Sequence, residues 1–256
     1  MTVAIAAVIP AHMASVRFPG KILQDIHGLP MIEHVRRRAL LCNGLSSVWV
    51  ATCDYQIADV IHSFGGNVII TSNIHTNGTS RVNEAVNSIE CSHVIVLQGD
   101  EPLLLPRHIN SLVEAITTQP QIEAWNLTGS IENSEELDRH SFVKCIVSKS
   151  NRILHCFRRS PFYSSTNLCL PIVRKILGVI AYRKSFLKAL CLVDPTPIEA
   201  LEFIEQMRIL ETDHFLYSLS VEPGLPSVNE PLELDIVLNY LAQNIEQLDV
   251  LRSIMV

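Results

Sequence analysis

The sequence predicts an α/β fold: a three-layer, doubly wound, mostly parallel sheet with a smaller inserted α/β lobe. Short β-branched apolar runs alternate with helical stretches, the pattern of βαβ units. Apolar residues make up 48% of the 256 residues, enough to cover a sheet on both faces. The two most unusual loops follow strand candidates directly, where open parallel sheets keep their ligands.

Strand candidates at 3–9, 48–52, 68–71 and 94–97 are short and rich in Val and Ile, as buried parallel strands are. Helical candidates separate them at 30–41, at 55–64 closed by Gly65-Gly66, at 80–89 and at 107–117. From Ala124 the pattern loosens. Strand candidates at 142–147, 153–157 and 176–182 stand between polar loops, and residues 124–195 read as the inserted lobe. A helix then opens at Thr196-Pro197-Ile198-Glu199, with Thr196 as N-cap, Pro197 in first position and Glu199 closing a capping box. Ile198, Leu201, Ile204 and Met207 continue it at helical spacing as core residues. A last helix runs from Pro231 towards Leu251. Its stripe of Leu234, Leu238, Leu241 and Ile245 is fit to dock on the core or on a second subunit.

Composition excludes several classes. The formal charge of −6 carries no basic block, and Arg36-Arg37-Arg38 is too short for a nucleic-acid footprint, so it reads as a solvated helix face. Cys42, Cys53, Cys91, Cys145, Cys156, Cys169 and Cys191 show no CxxC pair and no His at metal-ligand spacing. Most of them read as small core residues, in a protein from a reducing compartment, which points to the cytoplasm. The N-terminus lacks the basic region of a signal peptide, and no run approaches the ~20 apolar residues of a membrane span. Neither nucleic acid nor membrane is an expected partner.

The loop after the first strand reads Pro10-Ala11-His12-Met13-Ala14-Ser15-Val16-Arg17-Phe18-Pro19-Gly20-Lys21. Its small residues let backbone N–H groups approach a ligand, and Arg17 and Lys21 add cations, a combination suited to a polyphosphate. A surface loop with two solvated cations reads the same way. It is not a Walker loop, since GxxxxGK[ST] is absent. The fourth strand ends in Gln98-Gly99-Asp100-Glu101-Pro102. Asp100 suits magnesium, which takes one or two carboxylates plus substrate phosphates. Such an Asp-Glu pair also serves as a helix cap.

These two loops resemble the CMP-Kdo synthetase family. So do His75-Thr76-Asn77-Gly78-Thr79-Ser80-Arg81, Leu177-Gly178, Tyr182-Arg183 and the Glu-rich stretch from Glu199 to Arg208, all in family order from Val8 to about Pro231. The resemblance implies that the anomeric hydroxyl of a 3-deoxy-octulosonate (Kdo-like) sugar acid attacks the α-phosphate of CTP and releases pyrophosphate, with Mg2+ as cofactor and a homodimer as the assembly. It also implies roles. Lys21, Arg17 and Asp100 are catalytic. Pro10, Ala11, His12, Ser15, Arg17, Lys21, Thr52, Gly78, Thr79, Arg81 and Gln98 surround the nucleotide. Gln98, Arg159, Gly178, Glu205 and Gln206 surround the sugar, and Asp100 and Asn229 hold the metal. No nucleophile triad is needed, because phosphate transfers of this kind run on positioning and electrostatics.

The sequence departs from the family at several points. Val228-Asn229-Glu230-Pro231 replaces Val-Asp-Thr-Pro, and a neutral amide is a weaker magnesium ligand than a carboxylate. His12 stands for an Arg, Ser80 for an acidic residue, Ile176 for a His and Ile180 for a Tyr. Lost polar contacts change which acid a site prefers. The alternatives are a cytidylyltransferase for a modified or amino-substituted Kdo, a nonulosonate or a phosphonate, and a non-catalytic nucleotide-binding homologue.

Overall fold

The computed structural model describes residues 3–131, 134–160 and 172–255; Cys169 lies outside them. The chain divides into two compact units, one of Met1–Gln119 with Pro226–Val256 and the other of Pro120–Leu225.

The first unit is built on parallel strands. β1 (Ile5–Ala11) is buried throughout, as expected of a strand whose residues are almost all apolar. A small antiparallel pair follows, β2 (Asp25–Ile26) with β3 (Leu29–Pro30). β4 (Ser47–Thr52), β5 (Asn67–Ile70) and β6 (His93–Leu97) complete the sheet. β1 pairs in parallel with β4 on one side and β6 on the other, and β5 lies outside β4. Helices Met31–Leu40, Tyr55–Ser63, Gly78–Ala85 and Pro106–Thr118 alternate with the strands, as the sequence predicts.

Arg36, Arg37 and Arg38 correct one expectation, for they do not form a solvated face. Arg36 and Arg38 are buried, and so is Glu33, to which Arg36 donates from Nε and Nη2 at 2.7 and 2.6 Å. Arg37 Nε donates to the same carboxylate at 2.8 Å, and Arg38 Nη1 donates to the Leu104 carbonyl at 3.2 Å. The expected last helix is two, Pro231–Gln243 and Ile245–Ile254. Asn244 starts the second, its side chain accepting from Gln247 N at 3.0 Å. The break turns Ile245 out to 78% exposure, while Val237 and Leu241 are fully buried.

The second unit is mixed. β7 (Ala124–Ser130), β8 (Lys144–Val147), β9 (Ile153–Phe157), β10 (Val173–Arg183) and β11 (Leu216–Ser220) form its strands. β10 pairs antiparallel with β7 and β8, β8 with β9, and β11 runs parallel to β7. The unit is wider than the 124–195 lobe expected from sequence because β11 belongs to it. The capping box at Thr196 and Glu199 is present, but the helix it opens ends at Glu202. Phe203 then takes a left-handed φ of 54°, and a second helix spans Gln206–Glu211. Leu201 is therefore 78% exposed rather than core, whereas Ile204 and Met207 are buried.

The cysteines are less uniform than expected. Cys145 and Cys156 are buried, but Cys42, Cys53, Cys91 and Cys191 are only half-buried. Among the described residues no helix is long and apolar enough to cross a membrane.

Candidate active site

Strand order reverses at β1, between β4 and β6, and ligands of open α/β sheets bind beyond the carboxyl ends of strands at such a point. Both unusual loops leave the sheet there. The first is tied down at two places. Met13 N donates to Asp54 Oδ2 at 2.8 Å, and Gly20 N donates to Met13 O at 3.0 Å. Gly20 has φ 70°, a conformation that costs glycine little, and the turn brings Lys21 round.

Lys21 Nζ donates to Asp100 Oδ2 at 2.6 Å and to the Val228 carbonyl at 2.8 Å. Its side chain is 13% exposed, so it is a held ammonium and not a solvated one. Arg17 remains half-exposed, with Nη2 donating to Asn229 Oδ1 at 3.2 Å. Val228 N in turn donates to the Asp100 carbonyl at 3.0 Å. The two motifs named from sequence, 98–102 and 228–231, thus meet. Asp100 and Glu101 are not a helix cap, since the next helix opens at Pro106 with Leu105 as its N-cap.

The donor set fits a hard divalent cation. The Asp100 carboxylate and Asn229 Oδ1 are hard oxygen donors, each already beside a cation that also attracts phosphate. Among the described residues no three His, Cys, Asp or Glu side chains cluster to hold a metal; with so few protein ligands, substrate oxygens and water would complete the shell of such an ion.

Two pockets share Pro10, His12 and Gln98. One continues along Ala11, Ser15, Lys21, Ile22, Gly99 and Asp100, the other along His75, Thr76, Asn77, Gly78 and Arg81. Gly78 is required for close approach: a Cβ there would sit 3.1 Å from Pro10 Cγ and 3.4 Å from Gln98 Nε2. Asn77 caps the helix that Gly78 begins, its Oδ1 accepting from Ser80 N at 2.8 Å. Glu84 pins the preceding loop by accepting from Ser72 N at 3.0 Å and contacting His75 Nε2 at 2.5 Å. The His75 contact holds the Glu84 carboxyl below its usual range. Partial burial, reinforced by Arg81, pushes the His12 imidazole below its ordinary value.

Of the expected nucleotide residues, Pro10, Ala11, His12, Ser15, Lys21, Gly78, Arg81 and Gln98 come together around these pockets. Arg81 is nearly buried, and its Nη1 donates to Thr71 Oγ1 at 2.6 Å, so it braces the loop as well as lining the cavity. Thr52 and Thr79 line neither pocket. Thr52 is fully buried and its hydroxyl accepts from Asp54 N at 3.0 Å.

The expected sugar residues other than Gln98 belong to the second unit. Gly178 lies in β10 where its register with β7 shifts between Ile176 and Ile180. Glu205 is the N-cap of the Gln206–Glu211 helix, and Gln206 Nε2 donates to Asn126 Oδ1 at 3.0 Å. Arg159 is exposed. Glu199, in the same Glu-rich stretch, faces inward and forks onto Arg208 at 2.6 and 2.7 Å.

Sequence reasoning passed over Asp54 and Asn126, and it quoted His75, Thr76 and Asn77 within the family-like loop without giving them a role. The Asn77-x-x-Ser80 spacing before a helix was a usable cap signal. Asp54 and Asn126 carry none, because each acts on a partner distant in sequence.

Residues 6–217 match the model of a family described as cytidylyltransferase. The chain is 35% identical to 3-deoxy-manno-octulosonate cytidylyltransferase of Escherichia coli, over 94% of this chain and 97% of that protein. It is 38% identical to 8-amino-3,8-dideoxy-manno-octulosonate cytidylyltransferase of Shewanella frigidimarina (strain NCIMB 400), over 90% and 95%. In structure it resembles CMP:2-keto-3-deoxy-manno-octonic acid synthetase complexed with CTP. There the TM-score is 0.86 at 34% identity, covering 94% of this chain and 99% of that one.

Proposed function

The chain belongs to the cytidylyltransferase family, and we propose that it transfers CMP from CTP to the anomeric hydroxyl of a 3-deoxy-octulosonate-type sugar acid, releasing pyrophosphate. The observation that carries this reading is the Lys21–Asp100 pair, 2.6 Å apart, at the carboxyl ends of β1 and β6. A cation and a carboxylate side by side serve a polyphosphate and its metal together, where either alone serves only one.

The work of the residues is positional. Lys21 and Arg17 offset the charge of the β and γ phosphates, which grows as pyrophosphate leaves. Asp100 aims Lys21 and, with the amide oxygen of Asn229, offers oxygen ligands to magnesium. That ion, when bound, supplies Lewis-acid stabilisation of charge on the phosphate oxygens. His12, Gly78 and Gln98 line the pockets from which the base and ribose are held. Glu205 and Gln206, with Gly178 and Arg159, hold the acid and orient its anomeric hydroxyl, so that attack on the α-phosphate needs no enzyme nucleophile.

Homology supports both Kdo and its 8-amino relative as the acid. A cytoplasmic setting follows from the use of CTP and accords with cysteines that show no CxxC pair. A homodimer accords with the exposure of Leu192, Leu201 and Phe203 in the second unit, at 88%, 78% and 81%. The test is pyrophosphate release from CTP with a panel of sugar acids, with and without magnesium. Release that needs both an octulosonate-type acid and the metal is expected, and no release with any such acid overturns the reading.

A further inference from the structure

Asn126 is a fully buried polar side chain inside β7 of the second unit. Its Nδ2 donates to the carbonyls of Leu127 at 2.8 Å and Leu177 at 3.0 Å. Two acceptors fix the orientation of this amide, since the reversed amide would bury its oxygen against two carbonyl oxygens. Oδ1 therefore faces Gln206, whose Nε2 donates to it at 3.0 Å. The same logic passes outward. With one N–H of its amide committed to Asn126, the Gln206 amide cannot flip, and its acceptor Oε1 is fixed on the side away from Asn126. Gln206 is half-buried, so a ligand can reach it. The Leu177 carbonyl directly precedes Gly178, so one amide joins β7, the irregular part of β10 and the start of the Gln206–Glu211 helix.

We infer that Asn126 is a positioning and specificity residue of the acceptor site: it locks the Gln206 amide with Oε1 turned outward, so that the site accepts a hydrogen bond from the acid at a fixed point. The group of the acid that meets this oxygen is then a donor, a hydroxyl or an ammonium. An amide free to flip serves donors and acceptors alike, whereas a locked one discriminates, because the wrong partner leaves a polar atom unpaired. The inference rests on the reading that Gln206 contacts the acid.

The test is a double-mutant cycle of Asn126→Leu and Gln206→Ala, read as KM and kcat for the acid and KM for CTP. Gln206→Ala is expected to raise the KM for the acid about tenfold and leave that for CTP unchanged. Asn126→Leu should do the same in the parent and nothing further in the Gln206→Ala background. A loss of equal size in both backgrounds, or none in the parent, overturns the inference. If Gln206→Ala has no effect on an active enzyme, the assumed contact is wrong. If the parent uses no acid at all, the proposed function itself has failed. Gln206→Glu covers the case in which Asn126→Leu does not fold, because it keeps the outward oxygen but removes the donor to Asn126. It should lose as much as Gln206→Ala, and parent-like kinetics would overturn the inference. Polarity is read with acids fluorinated at one hydroxyl at a time. One position should cost the parent about tenfold and the Gln206→Ala enzyme nothing. Absence of such a position overturns the claim that Gln206 presents an acceptor.

Discussion

Lys21 and Asp100 are 79 residues apart in sequence, yet the ammonium of one lies 2.6 Å from a carboxylate oxygen of the other. The contact joins the loop that follows β1 to the loop that follows β6. Lys21→Ala is expected to lower kcat/KM for CTP by roughly tenfold to a thousandfold, the loss of ~1.4 to 4 kcal/mol of charge stabilisation. Arg17→Ala should act in the same direction without a change in unfolding midpoint, since Arg17 is half-exposed. Full activity of either variant at sub-saturating CTP would remove that residue from the polyphosphate site.

Asp100 and Asn229 give a second prediction. Asp100→Asn removes the carboxylate from the donor set and should abolish turnover at any reachable magnesium concentration. Asn229→Asp should lower the magnesium concentration for half-maximal rate by severalfold, because a carboxylate is the stronger ligand. Metal titration of the rate, with direct manganese binding by electron paramagnetic resonance, checks both. An active Asp100→Asn enzyme would end the metal assignment. An unchanged titration for Asn229→Asp would mean that Arg17 and Ser227, which contact the Asn229 amide at 3.2 and 3.1 Å, hold position 229 away from the ion.

The sheet of the first unit was legible because each of its strands is a bounded apolar run, and the loops at Pro10 and Gln98 because their composition is unlike the rest. The capping box at Thr196 was legible because its signal is local. What failed depended on partners distant in sequence or on backbone conformation. Arg36 and Arg38 look solvated until Glu33, Phe64 and Leu104 are placed around them. The break at Phe203 has no glycine to announce it, and the peptide there is held by Arg158, whose guanidinium donates to the Glu202 and Phe203 carbonyls at 2.8 and 3.2 Å. Asn126 is one polar residue in a strand, silent until its amide is seen between two carbonyls and Gln206.

Glu33 tests the buried charge cluster. Its side chain is fully buried, and Arg36 and Arg37 both bond to it. Glu33→Gln leaves their charges without a counter-ion and should destabilise the fold by about 3–5 kcal/mol. Denaturant unfolding measures this. Activity per folded molecule should not change, and a loss below ~1 kcal/mol would show that the arginines are compensated by the backbone carbonyls alone.

His34 makes stability depend on pH. Its Nε2 meets the Ile26 carbonyl at 2.6 Å, and burial lowers the imidazole to about 4. The unfolded chain therefore binds a proton near pH 6.5 that the folded chain refuses until about pH 4. Stability is full above pH 6.5 and falls as the pH drops from 6.5 to 4, by a contribution on the order of 3 kcal/mol. His34→Gln, whose amide can still donate to Ile26, should flatten that part of the profile. An equal slope in parent and variant would assign acid sensitivity to other groups.

The fate of the α-phosphate tests the account most directly. CTP labelled with phosphorus-32 at the α position is incubated with magnesium and a 3-deoxy-octulosonate acid, and the products are separated. The label should move into a CMP–sugar acid conjugate, one per unlabelled pyrophosphate released, and only when the acid is present. Label that stays in CTP, or that appears as free CMP at the same rate without the acid, would contradict it.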